Sequence, residues 1–296
     1  MAQLKEIQLK IQGIKKTKQI TKAMNMVAAS RLRGAQTNSD AFRPYARKFA
    51  EVLGSLAASS GEESNPLLVS RETVKKVHIV VCTSDRGLCG GFNINLIEKA
   101  QKLAAAKTAE GKEVTFTCFG KKGRDWARKN KKTIAAAHIG VVGSTFNFNV
   151  ALNAGNEFVK AFLNEQYDEV YIIFAEFLSM AKQPPTIQQL LPIPPIEKVE
   201  EEAEENKPYQ AEHICEPSKE ALLGELLPKS VQVQIYRALL ETSTSEHAAR
   251  MMAMDNATKA CNDMLESLSL IYNKARQAAI TADLMDIVGG AEALKG

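Results

Sequence analysis

After Pro228 the chain has no further proline, and after Gly224 no glycine until Gly289. About sixty residues without a helix breaker make a rod of about 90 Å at ~1.5 Å per residue, far longer than the helices of ordinary compact domains. Within that stretch Met254, Ala257, Cys261, Met264, Leu268, Ile271, Ala275, Ala278, Ala282 and Met285 alternate steps of three and four. Alternation sustained over more than four heptads is the seam of a coiled coil. A seam needs a mate, and the other end of the chain supplies one. Leu4, Ile7, Ile11 and Ile14 stack on one helical face; Lys18 interrupts the stripe, and Ile20, Met24 and Val27 are expected to resume it. An intramolecular antiparallel pair fits, with the rest of the chain inserted between its arms.

Two details set this rod apart from a routine coiled coil. Its seam uses Ala, Met and Cys more than Leu or Ile, which allows close, adaptable packing. Its end, "QAAITADLMDIV" (277–288), is apolar on nearly every side, with Ile280, Leu284, Met285, Ile287 and Val288 as its main apolar residues. A helix apolar all round is normally enclosed by protein or lipid. A bare terminus of this kind would aggregate, so the sequence implies a shaft whose tip sits in a sleeve made by other chains.

From about residue 70 to 212 the pattern changes. "VHIVVC", "VTFTCF" and "EVYIIF" are β-branched and aromatic runs of strand length, separated by Ala-, Lys- and Leu-rich helical stretches. Strand–helix alternation implies an α/β layer domain. Pro44 should kink or break the N-terminal helix, and "SSGEESNP" (59–66) should end it. The Pro- and Glu-rich exit before residue 212 reads as a loop. The expected organisation is an N-terminal helix over 1–57, an α/β, Rossmann-like domain over 70–212, and a C-terminal helix over 213–296 that pairs with the first.

Charge and composition restrict the chemistry. The net charge is only +4, but the segment through Arg33 is strongly basic and "EKVEEEAEEN" (197–206) is acidic. A basic arm suits nucleic acid, anionic lipid or an acidic protein surface. No apolar run has the ~18 residues a membrane span needs, and the N-terminus lacks a signal-peptide core, so the expectation is a cytoplasmic chain. Five scattered cysteines without a C-x-x-C pair point away from a disulfide framework or a zinc site. Gly87, Gly90 and Gly91 follow a strand, but their spacing matches neither the dinucleotide nor the Walker fingerprint, so the loop reads as a structural turn. Asp85 and Arg86 stand at its mouth. The four histidines share no ligand spacing, and "TSTSEH" (242–247) reads as a polar helix face. No active site assembles, and no cofactor or metal is expected. A nucleic-acid-binding coiled coil and a nucleotide-dependent enzyme stay open as alternatives at this point.

Four stretches, "ITKAMNMVAASRLR" (20–33), "SDRGLCGGFN" (84–93), "TSEHAARMMAMDNATKA" (244–260) and "LIYNKARQAAITADLMDIVGGAEAL" (270–294), resemble the γ subunit of F-type ATP synthases, over essentially the full length. The resemblance implies a non-catalytic central shaft that transmits torque between the membrane c ring and the catalytic β sites. Its implied partners are the α and β subunits, ε and the c ring, at the cytoplasmic face of the membrane. It further implies that Lys22, Met24 and Arg86 face an acidic loop of β, and that Arg276, Gln277 and Thr281 form a polar catch on β. Cys215 and Glu216 would touch the c ring. This chain departs from the family pattern at Asp283, where Glu is usual, and at Cys215, where an aromatic is commoner. It also lacks the paired regulatory cysteines of chloroplast versions.

Overall fold

The computed structural model describes residues 2–60, 65–194 and 218–293. In chain order they form α1 (Ala2–Ser60), β1 (Lys76–Cys82), α2 (Phe92–Ala109), β2 (Glu113–Phe119), α3 (Lys121–Lys129), β3 (Thr133–His138), α4 (Asn149–Leu163), β4 (Glu169–Ala175), β5 (Pro185–Leu191) and α5 (Lys219–Ala293). Packing divides the chain into two compact units, one of Met1–Ala29 with Arg250–Gly296, the other of Ser30–Ala249.

Both long helices run through their expected breakers. Pro44 lies inside α1, and α5 contains Gly224, Pro228, Gly289 and Gly290. Pro44 is on the exposed side, so the carbonyl it cannot bond still meets water. Around Pro228 the burial of Leu223, Leu227 and Val231 decides the outcome. An interior proline costs a helix ~3 kcal/mol, while each of these side chains contributes about 1.5–3 kcal/mol on burial. Tertiary packing wins.

In the larger unit the sheet order is β3-β2-β1-β4-β5, parallel except for β5, which runs antiparallel to β4. A parallel sheet needs both faces covered. Alternation along β1 sends Val77, Ile79 and Val81 to one side, against Phe92, Leu96, Ala100 and Ala104 of α2 and Ala127 of α3. Val80 and Cys82 point the other way, toward Phe158 and Phe162 of α4, Leu53 and Leu56 of α1, and Leu227, Val231 and Ile235 of α5. The second helical layer is thus shared between α4 and stretches of the two long helices. Phe42 of α1 meets Tyr236 of α5 edge to face at 4.8 Å, and Phe146 and Phe148 reach the same ring.

One polar core residue makes the sheet pH-sensitive. His78 on β1 is fully buried, with its ring nitrogens 2.8 and 2.9 Å from the hydroxyls of Thr115 and Thr117 and its ring stacked on Tyr167 at 4.1 Å. Burial drives its pKa down to about 3, so the folded chain keeps it neutral. The unfolded chain protonates this imidazole below its ordinary value of 6.5. Stability is therefore fully present above pH 6.5 and drains away by up to about 1.4 kcal/mol per pH unit as the pH falls from there toward 3. Thermal melting of the full chain at pH 7, 6 and 5 checks this. His78→Gln should melt lower at pH 7 but show a shallower fall in Tm between pH 7 and 5.

Candidate partner interface

In the smaller unit α1 and α5 pair antiparallel. The Thr21 and Thr258 hydroxyls are 2.8 Å apart, and Asn25 Nδ2 donates to the Met251 carbonyl at 2.9 Å, so a rise along α1 is a descent along α5. The buried and half-buried positions of α1 in this unit are Leu4, Ile7, Ile11, Ile14, Lys18, Thr21, Asn25 and Ala28, with Met24 and Ala29 half-buried beside them. The three-and-four alternation is unbroken through Lys18. Ile20 and Val27, expected on the seam, are exposed, Ile20 by 60%. Strict heptad phase wins over apolar character because the seam accepts Thr21 and Asn25, whose polar groups bond across it.

The α5 seam shares this correction. Met254, Ala257, Cys261, Leu268 and Ala275 are buried or half-buried as expected, with Thr258 half-buried beside Ala257, but farther along the intervening positions are Leu265, Tyr272 and Ala279. Met264 and Ile271 are exposed, and Ala278 with them. Each expected residue has a neighbour one step on that closes the alternation equally well, so spacing alone does not choose between them.

The same register determines what is left over. Counting from the Thr21–Thr258 contact, Leu4 lies level with Ala275, and Ala279 is the last half-buried residue of α5. Residues 280–292 are exposed, including Ile280, Leu284, Met285, Ile287 (72%) and Val288. Arg276, Gln277 and Thr281 are exposed too, and Thr281 Oγ1 donates to the Gln277 carbonyl at 3.0 Å, placing the pair on one helical face. Lys22 is exposed and Met24 half-buried, level with Ala257 and Asp255 by the same count. Gln277 lies about 22 residues beyond Asp255 along α5, about 33 Å. The structure therefore sets two candidate contact groups at separate levels of one helical pair.

The third group is the glycine loop of the larger unit. Ser84 N–H donates to Asn93 Oδ1 at 2.9 Å, Asn93 Nδ2 donates to Ser84 Oγ at 2.8 Å, and Ser84 Oγ donates to the Arg86 carbonyl at 2.5 Å. Asp85 accepts the backbone N–H groups of Lys121 and Gly140, each at 2.7 Å. Gly120, at φ +104°, passes so close to the Thr83 carbonyl that any Cβ there would overlap it. These polar groups are turned inward, onto each other and onto neighbouring strand ends, which makes the loop a rigid bracket. The Arg86 side chain is exposed on it.

One segment has a role the sequence did not reveal. The polar helix face read over 242–247 is buried, together with Glu241 before it. Ser245 Oγ donates to the Ala175 carbonyl at 3.1 Å, the Ala175 N–H approaches Thr242 Oγ1 at 3.4 Å, and the Gly143 N–H donates to Ser243 Oγ at 3.3 Å. The run meets the last residue of β4, where backbone groups need partners and an apolar helix would leave them unmatched. Its polarity was the available signal, since four adjacent hydroxyl residues in a long helix are costly unless they bond elsewhere. Cys215 and Glu216, and the acidic 197–206 stretch, lie outside the described residues. Among the described residues no group of His, Cys, Asp and Glu has the arrangement of a metal site.

The chain matches the ATP synthase family over residues 3–294. An ATP synthase gamma chain of Desulfosudis oleivorans is 65% identical over 298 aligned residues, covering 100% of both chains. That of Desulforapulum autotrophicum is 61% identical, covering 99% of this chain and 100% of the relative. Among solved structures, a chain of the Euglena gracilis mitochondrial ATP synthase, in an OSCP/F1/c-ring assembly in rotational state 3, has the same fold, with a TM-score of 0.69 at 21% identity, covering 99% of this chain and 95% of that one.

The seam contact generates a mutational test. Removing one hydroxyl leaves its partner without the bond it makes across the seam, whereas removing both replaces the bond by apolar contact. Thr21→Val and Thr258→Val should each destabilise by about 1 kcal/mol, and the double variant by less than their sum. Thermal melting of the four full-length chains measures the coupling.

Proposed function

The chain belongs to the ATP synthase gamma chains, non-catalytic rotor subunits of the central stalk, and we propose that it works by turning a hydrophobic-tipped two-helix shaft inside the ring of α and β subunits. The observation that carries this reading is the overhang. Ala279 is the last half-buried residue of α5, yet the helix continues to Ala293, and Ile280, Leu284, Met285, Ile287 and Val288 are exposed. Ile280, Leu284, Met285, Ile287 and Val288 need walls that this chain does not supply, and a close-fitting bearing supplies them without locking the shaft.

Two sets of residues on the helical pair, and Arg86 on the glycine loop of the larger unit, suit contact with the catalytic subunits. Gln277 and Thr281, with Arg276, offer hydrogen bonds that break and re-form as the shaft turns. Lys22 beside Met24, and Arg86 on its bracket, offer charge to an acidic loop of β. Such rim charges give orientation and partner choice more than affinity. At the other end the chain joins ε and the c ring, with Cys215 and Glu216 at the foot, so it acts peripherally at the cytoplasmic face of the membrane. No described helix is long and apolar enough to cross a bilayer. Torque transmission requires asymmetry and a stiff connection, not a catalytic group. The relatives lend no support to the nucleic-acid-binding reading.

Affinity capture of the tagged full chain from its native membrane should recover α, β and ε together; their absence would overturn the reading. Deleting residues 277–296 should cut ATP-driven rotation torque several-fold in the assembled complex, read by single-molecule rotation under load. Met24→Lys adds a second cation beside Lys22 and should lower the protons pumped per ATP hydrolysed while leaving the amount of assembled complex unchanged.

A further inference from the structure

Leu88 has a backbone conformation that suits a leucine poorly. Its φ is +65°, in the left-handed region that bulky side chains rarely adopt, while the adjacent Gly87 lies outside that region with open space around it. The other non-glycine residues with positive φ are Lys131 and Glu165. Each directly follows the C-cap of a helix, Asn130 after α3 and Asn164 after α4, where a left-handed residue is routine, and each is polar and exposed. Leu88 ends no helix, and its side chain is 64% exposed. The fold gains neither a helix stop nor buried apolar area from it.

Its surroundings are rigid and cationic. The bracket of Ser84, Asp85 and Asn93 holds the loop from both sides, and the Lys122 N–H also donates to the Ser84 carbonyl at 3.2 Å. Arg86, Lys121 and Lys122 are exposed on this bracket or on the turn bonded to it. Of the carboxylates here, Asp85 is already engaged by two backbone amides, and Asp125, beside Lys121 and Lys122, is paired with Arg124 at 2.7 Å. An apolar knob flanked by cations complements an apolar pocket rimmed by carboxylates.

We propose that Leu88 is a docking residue, seated in such a pocket on a catalytic subunit of the ring, with Ser84, Asp85 and Asn93 as the positioning residues that hold it out. The identity of the partner rests on the functional reading above; the knob itself rests on backbone conformation, exposure and charge. The test uses the assembled α–β ring with the full chain and measures how fast the chain is released. Leu88→Asn removes the apolar group and relaxes the backbone, since asparagine tolerates positive φ. Release should be about tenfold faster at every salt concentration, with the melting temperature of the full chain unchanged or higher. Arg86→Gln should instead flatten the salt dependence of release. Unchanged release of the Leu88→Asn chain from an intact ring overturns the proposal alone, as does a fall in melting temperature that accompanies faster release. Failure of the wild-type chain to enter the ring overturns the functional reading itself.

Discussion

The hydroxyl contact between Thr21 and Thr258, 2.8 Å across the seam, settles which part of the C-terminal helix has a partner. With that register, Leu4 lies level with Ala275, and residues 280–293 extend past the helix that would otherwise cover them. Apolar contacts alone define such a register weakly, because they are non-directional. The directional bonds are Thr21 to Thr258 and Asn25 to the Met251 carbonyl. A few polar groups in a seam set alignment at some cost in stability. The alignment also sets how much of the apolar end of α5 extends beyond α1.

Polar groups have a second structural role in the sheet unit. The buried run from Glu241 to His247 lets a helix pass directly over the end of β4 by supplying hydroxyls to the Ala175 backbone groups. Small residues make the approach feasible. A Cβ at Gly155 of α4 would come within 2.7 Å of Gln232 Cγ on α5. In this unit the long helices are therefore fastened by close backbone approach and internal hydrogen bonds as well as by leucines, which suits elements that must carry load without slipping.

The glycine loop presents a surface by turning its own polar groups inward. Ser84, Asp85 and Asn93 spend their polar groups on one another and on adjacent strand ends, leaving Arg86 and Leu88 facing outward. The loop thus holds these two side chains out on a stiff, internally bonded support.

By itself the sequence determined that two long helices exist, that they pair through a three-and-four alternation, that strands and helices alternate between them, and that one apolar end is in excess. These follow from periodicity and from local hydrophobicity, which a linear chain carries in full. Only the tertiary structure decided the phase of the seam, because Met264 or Leu265, and Ile271 or Tyr272, satisfy the same spacing and the opposing helix chooses between them. It also decided that Pro44 and Pro228 would be tolerated and that the hydroxyls of 242–245 would be buried. In each case a local preference of a few kcal/mol was set against contacts with residues far away in the chain, and those contacts become visible only when the distant surfaces are brought together.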